Sequence, residues 1–152
     1  MHDSTPASNP SSPLSELRLQ PRYSETDAMG VVYYANYLVY FEVARTTALA
    51  DLGHPYWEME KQGFLIPVLQ AHCAYQSPAR YGDNLIVRTH RARLGRARIR
   101  FDYVVLRENG PGDETPLATG FTEHGFVTPA GRPLRPPEAL IALFPESNDI
   151  EK

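Results

Sequence analysis

Two carboxylates and a run of tyrosines stand together in Tyr23-Ser-Glu25-Thr-Asp27-Ala-Met-Gly30-Val-Val-Tyr33-Tyr34-Ala-Asn36-Tyr37. The acids fall just before a segment whose apolar spacing is helical. A carboxylate in that place faces the positive end of the helix dipole, which favours negative charge. The amides of a first helical turn have no partners within the helix, so they can donate to a substrate oxygen. An ionised carboxylate beside free N–H groups is equipment for attack on an acyl carbon with stabilisation of the oxyanion. The plainer reading is that Asp27 caps a turn and Gly30 permits it. On an extended segment Glu25 shares a face with Asp27, which makes it either a second working carboxylate or a structural acid.

A second cluster is basic. Arg88, Arg91, Arg93, Arg96, Arg98 and Arg100 occur within thirteen residues that contain no acid. After Gly95, strand alternation sends Arg96, Arg98 and Arg100 one way and Ala97, Ile99 and Phe101 the other. Guanidinium matches phosphate with parallel hydrogen bonds, so a phosphate-rich ligand is one reading. The other is a solvated face paired with acids elsewhere, Asp102 being the nearest. Other chemistries lack their residues. The sequence has no G-x-S-x-G, no P-loop and no G-x-G-x-x-G. His2, His54, His72, His90 and His124 are scattered without metal-ligand spacing, so no metal site is expected. His72 and Cys73 are strand neighbours on opposite faces, and Cys73 reads as a small buried thiol.

The positioning elements follow from periodicity. Leu17, Leu19 and Tyr23 suggest a strand within Ser15–Ser24. From Asn36 to Leu52 the pattern is helical: Tyr37, Phe41, Ala44, Ala48 and Leu52 share one face. Asn36 is the expected N-cap, and Gly53 with Pro55 the stop. Leu38, Tyr40, Val43 and Leu49 lie on its other sides, which predicts a helix buried on more than one side. Strands are expected at Phe64–Gln76, Asn84–Leu94, Arg96–Leu106 and Thr115–Val127, with turns at Gly95 and Glu108–Asp113. A short final helix is expected within Pro137–Phe144. Strands joined by short turns pair antiparallel, so the class is α+β with the helix against one face of a curled sheet.

Length and composition set the frame. The 152 residues, 42% hydrophobic and 22% charged, suit one globular domain without disulfides or a paired-cysteine metal site, since there is one cysteine. Residues 1–14 read as a disordered tail, 15–145 as the domain and 146–152 as a loose tail. The net charge of −3 argues against nucleic acid as partner. No apolar run is long enough for a membrane-spanning helix, and the N-terminus lacks a secretory pattern, so the cytoplasm is the expected compartment.

The Tyr23–Tyr37 segment resembles the active-site signature of the small hotdog-fold acyl-CoA thioesterases of the 4-hydroxybenzoyl-CoA thioesterase type. Tyr75-Gln-Ser-Pro78-Ala-Arg80-Tyr81-Gly-Asp83 resembles that family's turn between its second and third strands. The chain is similar also to the thioesterases encoded beside Tol-Pal genes, which often carry histidine where Tyr34 stands. The resemblance covers about Arg22 to Phe144. It implies an antiparallel sheet of five or six strands wrapped around the long helix. It further implies Asp27 as nucleophile or general base and the Tyr34 backbone amide as oxyanion donor. Gly30 would allow close approach, Tyr33 and Tyr34 would line the acyl pocket, and Tyr37 would pack in the core. The family pattern does not require Glu25, which is then a solvated or structural acid. Coenzyme A, part of the substrate and not a separate cofactor, would set its phosphates on Arg96, with Arg93 and Arg98 nearby. Family members pair their sheets into dimers, so a homotetramer built from dimers is expected. Rival readings are a non-catalytic acyl-CoA-binding domain and a hotdog hydratase. The hydratase needs a base such as histidine where Val32 stands.

Overall fold

The computed structural model describes residues 13–147. Chain order gives β1 (Ser15–Leu19), a 3-10 turn (Tyr23–Glu25), α1 (Asn36–Asp51), α2 (Tyr56–Lys61), β2 (Val68–Tyr75), β3 (Leu85–Leu94), β4 (Arg98–Gly110), β5 (Asp113–His124) and α3 (Glu138–Ile141). The five strands form one antiparallel sheet in the order β1-β3-β4-β5-β2, with β1 and β2 at its edges. This is the α+β arrangement expected, with five strands and one long helix.

The long helix lies on the sheet because its apolar stripe meets the alternate residues of three strands. Phe41 and Ala44 are fully buried among Val87, Ile99, Phe101, Tyr103, Val105 and Leu117, and Ala48 is fully buried one turn on. Phe41 stacks on Tyr103 with centroids 4.2 Å apart and planes 5° apart. That approach requires Gly120, where a Cβ would stand 2.5 Å from the Phe41 ring and 2.3 Å from the His72 carbonyl oxygen. Full burial of a side chain the size of Phe41 contributes about 2–3 kcal/mol. Below it, Thr122 links the Tyr103 hydroxyl (2.6 Å) and His124 Nε2 (2.8 Å). Burial, then the charge of Arg45, pushes His124 down to about 4.

Three features differ from the sequence reading. Asn36 is not the N-cap: the cap position is Ala35, which offers no side-chain bond. The Asn36 amide instead reaches the Glu25 carbonyl at 2.9 Å. The burial of the helix takes in Tyr40 and Leu49 as expected, but not Leu38 and Val43, which with Val39 remain 39%, 43% and 46% exposed. The third is α2, absent from the reading, which starts behind Pro55 with Glu58 in its first turn and Lys61 in its last. The turns at Gly95 and at Pro111-Gly112 form as expected, although β4 runs on to Gly110, which leaves a two-residue connection. Proline followed by a glycine at φ 74° is the sequence such a turn favours.

Both ends of the described stretch are tied to β3. The Leu14 amide bonds the Thr89 carbonyl at 2.6 Å, and the Ser147 amide bonds that of Arg93 at 3.2 Å. Of the expected tails 1–14 and 146–152, residues 1–12 and 148–152 lie outside the described residues, while Glu146, expected to be loose, pairs with Arg93.

Candidate active site

Asp27 opens a tight turn. Its carbonyl accepts from the Gly30 amide and its own amide donates to the Val31 carbonyl, both at 2.9 Å. Thr26 and Val32 pair as a short bridge, and Gly30 at φ 75° closes the turn in the left-handed region. One carboxylate oxygen, Oδ1, accepts the Met29 amide at 2.9 Å. Among the described residues Oδ2 has no hydrogen-bond partner. Asp27 therefore caps its turn with one oxygen and keeps the other open.

Glu25 does a different job. It lies in the 3-10 turn and not on an extended segment, so it does not share a face with Asp27 in the way alternation predicts. The residue is 8% exposed, and its carboxylate accepts from the Arg22 amide at 2.7 Å and the Tyr40 hydroxyl at 3.1 Å. Its carbonyl accepts from the Tyr33 amide and the Asn36 side chain, each at 2.9 Å. Residue 25 thus joins the acid turn to the start of α1, as the structural reading requires.

The start of α1 is bare. With no capping side chain, and with the Tyr33 amide spent on Glu25, the Tyr34 and Ala35 amides donate to nothing among the described residues. Around them stand three exposed tyrosines. Tyr33 and Tyr34 rings meet edge-on at 4.7 Å, and Tyr75 lies edge-on to Tyr34 at 6.4 Å. The Tyr33 hydroxyl is held above its ordinary pKa, first by its hydrogen bond with Tyr34, with the charge of Asp27 a lesser cause. Asp27, Tyr33 and Tyr34 share one neighbourhood, because the Thr26–Val32 bridge and the Tyr33 amide on the Glu25 carbonyl fold the acid turn back onto the helix start. Gly30 sits at its rim, where its carbonyl lies 3.5 Å from Arg80 Nη1. Tyr37 is core, 2% exposed, and its hydroxyl accepts the Ala79 amide at 3.1 Å. Val32 is buried, so no base stands at the position a hydratase needs. Sequence reasoning gave no role to Tyr75, whose hydroxyl bonds the Tyr34 carbonyl. Alternation does put Tyr75 on the same face as Cys73.

The arginines do not gather here. Tyr75 and Val105 both pair with Ala118, and Arg98 lies seven residues back along β4 from Val105. At strand rise that is about 24 Å. Arg88 is held by Glu16 and Glu114 at 2.6 Å each, and Arg100 by Asp102 at 3.0 Å and Glu123 at 3.3 Å. Arg91 donates to the Leu143 carbonyl and Arg93 pairs with Glu146. Only Arg96 and Arg98 of the six carry no ion pair or side-chain hydrogen bond among the described residues. Two surface grooves lined by Arg18, Asn84 and Glu108 exclude Asp27, and their charges are already joined at 2.8 Å. Among the described residues no cluster of three His, Cys, Asp or Glu could hold a metal, and no helix is long and apolar enough to cross a membrane.

Residues 21–146 match the Thioesterase-like superfamily. The chain belongs to this family. It is 47% identical over 76 residues to the "Putative acyl-CoA thioesterase YneP" of Bacillus subtilis, across 50% of this chain and 55% of that protein. The match thus spans about half the length of that relative. A DHNA-CoA thioesterase structure from Staphylococcus aureus is 34% identical, covers 80% of this chain and 79% of its own, and superposes with a TM-score of 0.74. The 4-hydroxybenzoyl-CoA thioesterase from Pseudomonas sp. strain CBS-3 is 21% identical, with a TM-score of 0.76 over 85% of this chain and 97% of its own. That likeness establishes the shared hotdog fold.

Proposed function

We propose that this member of the superfamily hydrolyses acyl-CoA thioesters to the free acid and coenzyme A. The observation that carries the reading is the open Asp27 oxygen beside a helix start whose Tyr34 amide is unspent. Asp27 either attacks the acyl carbon or takes a proton from the attacking water. The Tyr34 N–H receives the charge that develops on the acyl oxygen. The sulfur leaves with the carbon–sulfur bond electrons and gains a proton from solvent. Water supplies the second oxygen of the acid, and no cofactor takes part. Tyr33 and Tyr34 flank the acyl group, and Gly30 keeps the approach clear. An acyl-CoA substrate makes the cytoplasm the compartment of action.

In this reading the site is completed by a second copy. The open side of α1 and the β2 edge expose Leu38, Val39, Val43, Val68 and Leu69. An unpaired edge strand invites pairing with another chain, and a tetramer follows by stacking such dimers. Arg96 and Arg98, without ion pairs among the described residues and at the opposite end of β4 from the row that holds Tyr75, would then serve the coenzyme A phosphates of a neighbouring copy's site. Arg93 is committed to Glu146 and contributes less. A monomer at micromolar concentration by light scattering would exclude this assembly.

The mechanism is tested by Asp27→Asn, which keeps size and hydrogen bonding but removes the charge. It should lower kcat by about a hundredfold or more with KM little changed. Full activity in the folded variant would end the mechanism.

A further inference from the structure

The Tyr75 hydroxyl, at the end of β2, donates to the Tyr34 carbonyl at 2.8 Å. That carbonyl has left the regular helical ladder. The Leu38 amide goes to Ala35 at 3.2 Å, and Tyr34 receives otherwise only the Tyr37 amide at 3.4 Å. In a trans peptide the N–H points opposite the C=O, so a bond that fixes the Tyr34 carbonyl also fixes the Ala35 N–H. The preceding peptide is held in the same manner. The Tyr33 carbonyl accepts the Asn36 amide at 2.9 Å, which aims the Tyr34 N–H the other way. Two adjacent amides are thus presented, each steered by a bond at the far end of its own peptide.

The donor is itself well placed. The Tyr75 ring stands edge-on to Tyr37, with centroids 5.1 Å apart, and that ring is core. Although about half of the residue is exposed, partial loss of water around the hydroxyl, then the neighbouring Cys73 and Tyr37, raise the pKa of Tyr75 and keep its proton in place. It can donate throughout the neutral range.

We propose that Tyr75 is a positioning residue for thioester hydrolysis, its hydroxyl orienting the Tyr34–Ala35 peptide so that the Ala35 N–H joins the Tyr34 N–H as a second donor to the acyl oxygen. The inference rests on the thioesterase reading above. It adds a backbone donor, Ala35, and assigns its alignment to an edge strand 40 residues further along the chain.

Tyr75→Phe keeps the ring and removes one hydroxyl. It should lower kcat about three- to tenfold, the size of one hydrogen bond, with KM little changed. An acyl-CoA analogue with a methylene in place of the thioester carbonyl has no oxygen for these donors. Its inhibition constant should be the same for wild type and Tyr75→Phe, whereas a change in pocket shape would move it. Unchanged kcat, or a raised KM and inhibition constant without loss of kcat, would overturn the proposal. If the wild type releases no thiol, the thioesterase reading fails and takes this inference with it. If Asp27→Asn is inactive while Tyr75→Phe is fully active, this inference alone fails.

Discussion

At the acid turn, residues that are close in sequence stay close in space. Along β3 and β4, residues equally close in sequence are parted. Between Arg22 and Tyr37 the chain folds back on itself through one 3-10 turn, one tight turn and a helix start, so local bonds tie the acid turn to the helix start. Tyr75, Ala79 and Arg80 reach the segment from further along the chain. Between Arg88 and Arg100 the strand alternation and the hairpin send neighbours to different faces and different rows. There the partners come from afar: Glu16 from β1, Glu114 and Glu123 from β5, and Glu146 from beyond α3. A cluster of charge in a strand sequence is thus no measure of charge in space. The two acids of the turn teach the same lesson at closer range. Glu25 spends its carboxylate on Arg22 and Tyr40, while Asp27, two residues later, keeps an oxygen unspent.

The difference between the acids can be sharpened by substitution. Glu25→Ala leaves the Tyr40 hydroxyl and the Arg22 amide without their acceptor, and should cost about 2 kcal/mol of stability in a urea titration. Glu25→Gln keeps an acceptor oxygen, should cost less than about 1 kcal/mol, and should leave most of the activity. A loss of turnover in Glu25→Gln that matches Asp27→Asn would make the two acids a working pair and erase the distinction.

A smaller effect is expected at the far end of the sheet. Arg96→Ala combined with Arg98→Ala should raise KM for an acyl-CoA about threefold or more, as loss of partly exposed charge-assisted bonds does. KM for the matching acyl-pantetheine, which lacks the nucleotide, should stay as in the wild type. Arg88→Ala should alter neither, because that guanidinium is already held by two glutamates. Equal responses to both substrates would return Arg96 and Arg98 to an ordinary solvated face.

Much of the fold was legible because its signals are local. Glycines and prolines mark the turns, alternation marks β3, β4 and β5, and the three- and four-residue spacing from Tyr37 to Ala48 marks the helix face. Strand pairing order is not local, and neither is the exposure of Leu38, Val39 and Val43, which depends on where the sheet lies around the helix. At the candidate site, the expectation for Asp27, Gly30, Tyr33 and Tyr34 rests on one contiguous motif. Asn36 was misassigned because an asparagine before a helix most often caps it, whereas here it staples the helix to Glu25. Tyr75 escaped because its role lies in a hydrogen bond across 41 residues, which no spacing rule contains.

The most direct measurement is thiol release from a mixed panel of acyl-CoA esters, read against the amount of chain present. The account predicts repeated turnover, with free thiol from at least one ester far exceeding the chain and a matching amount of free acid. Tight binding of an acyl-CoA with no thiol released would contradict it and leave a binding domain in its place.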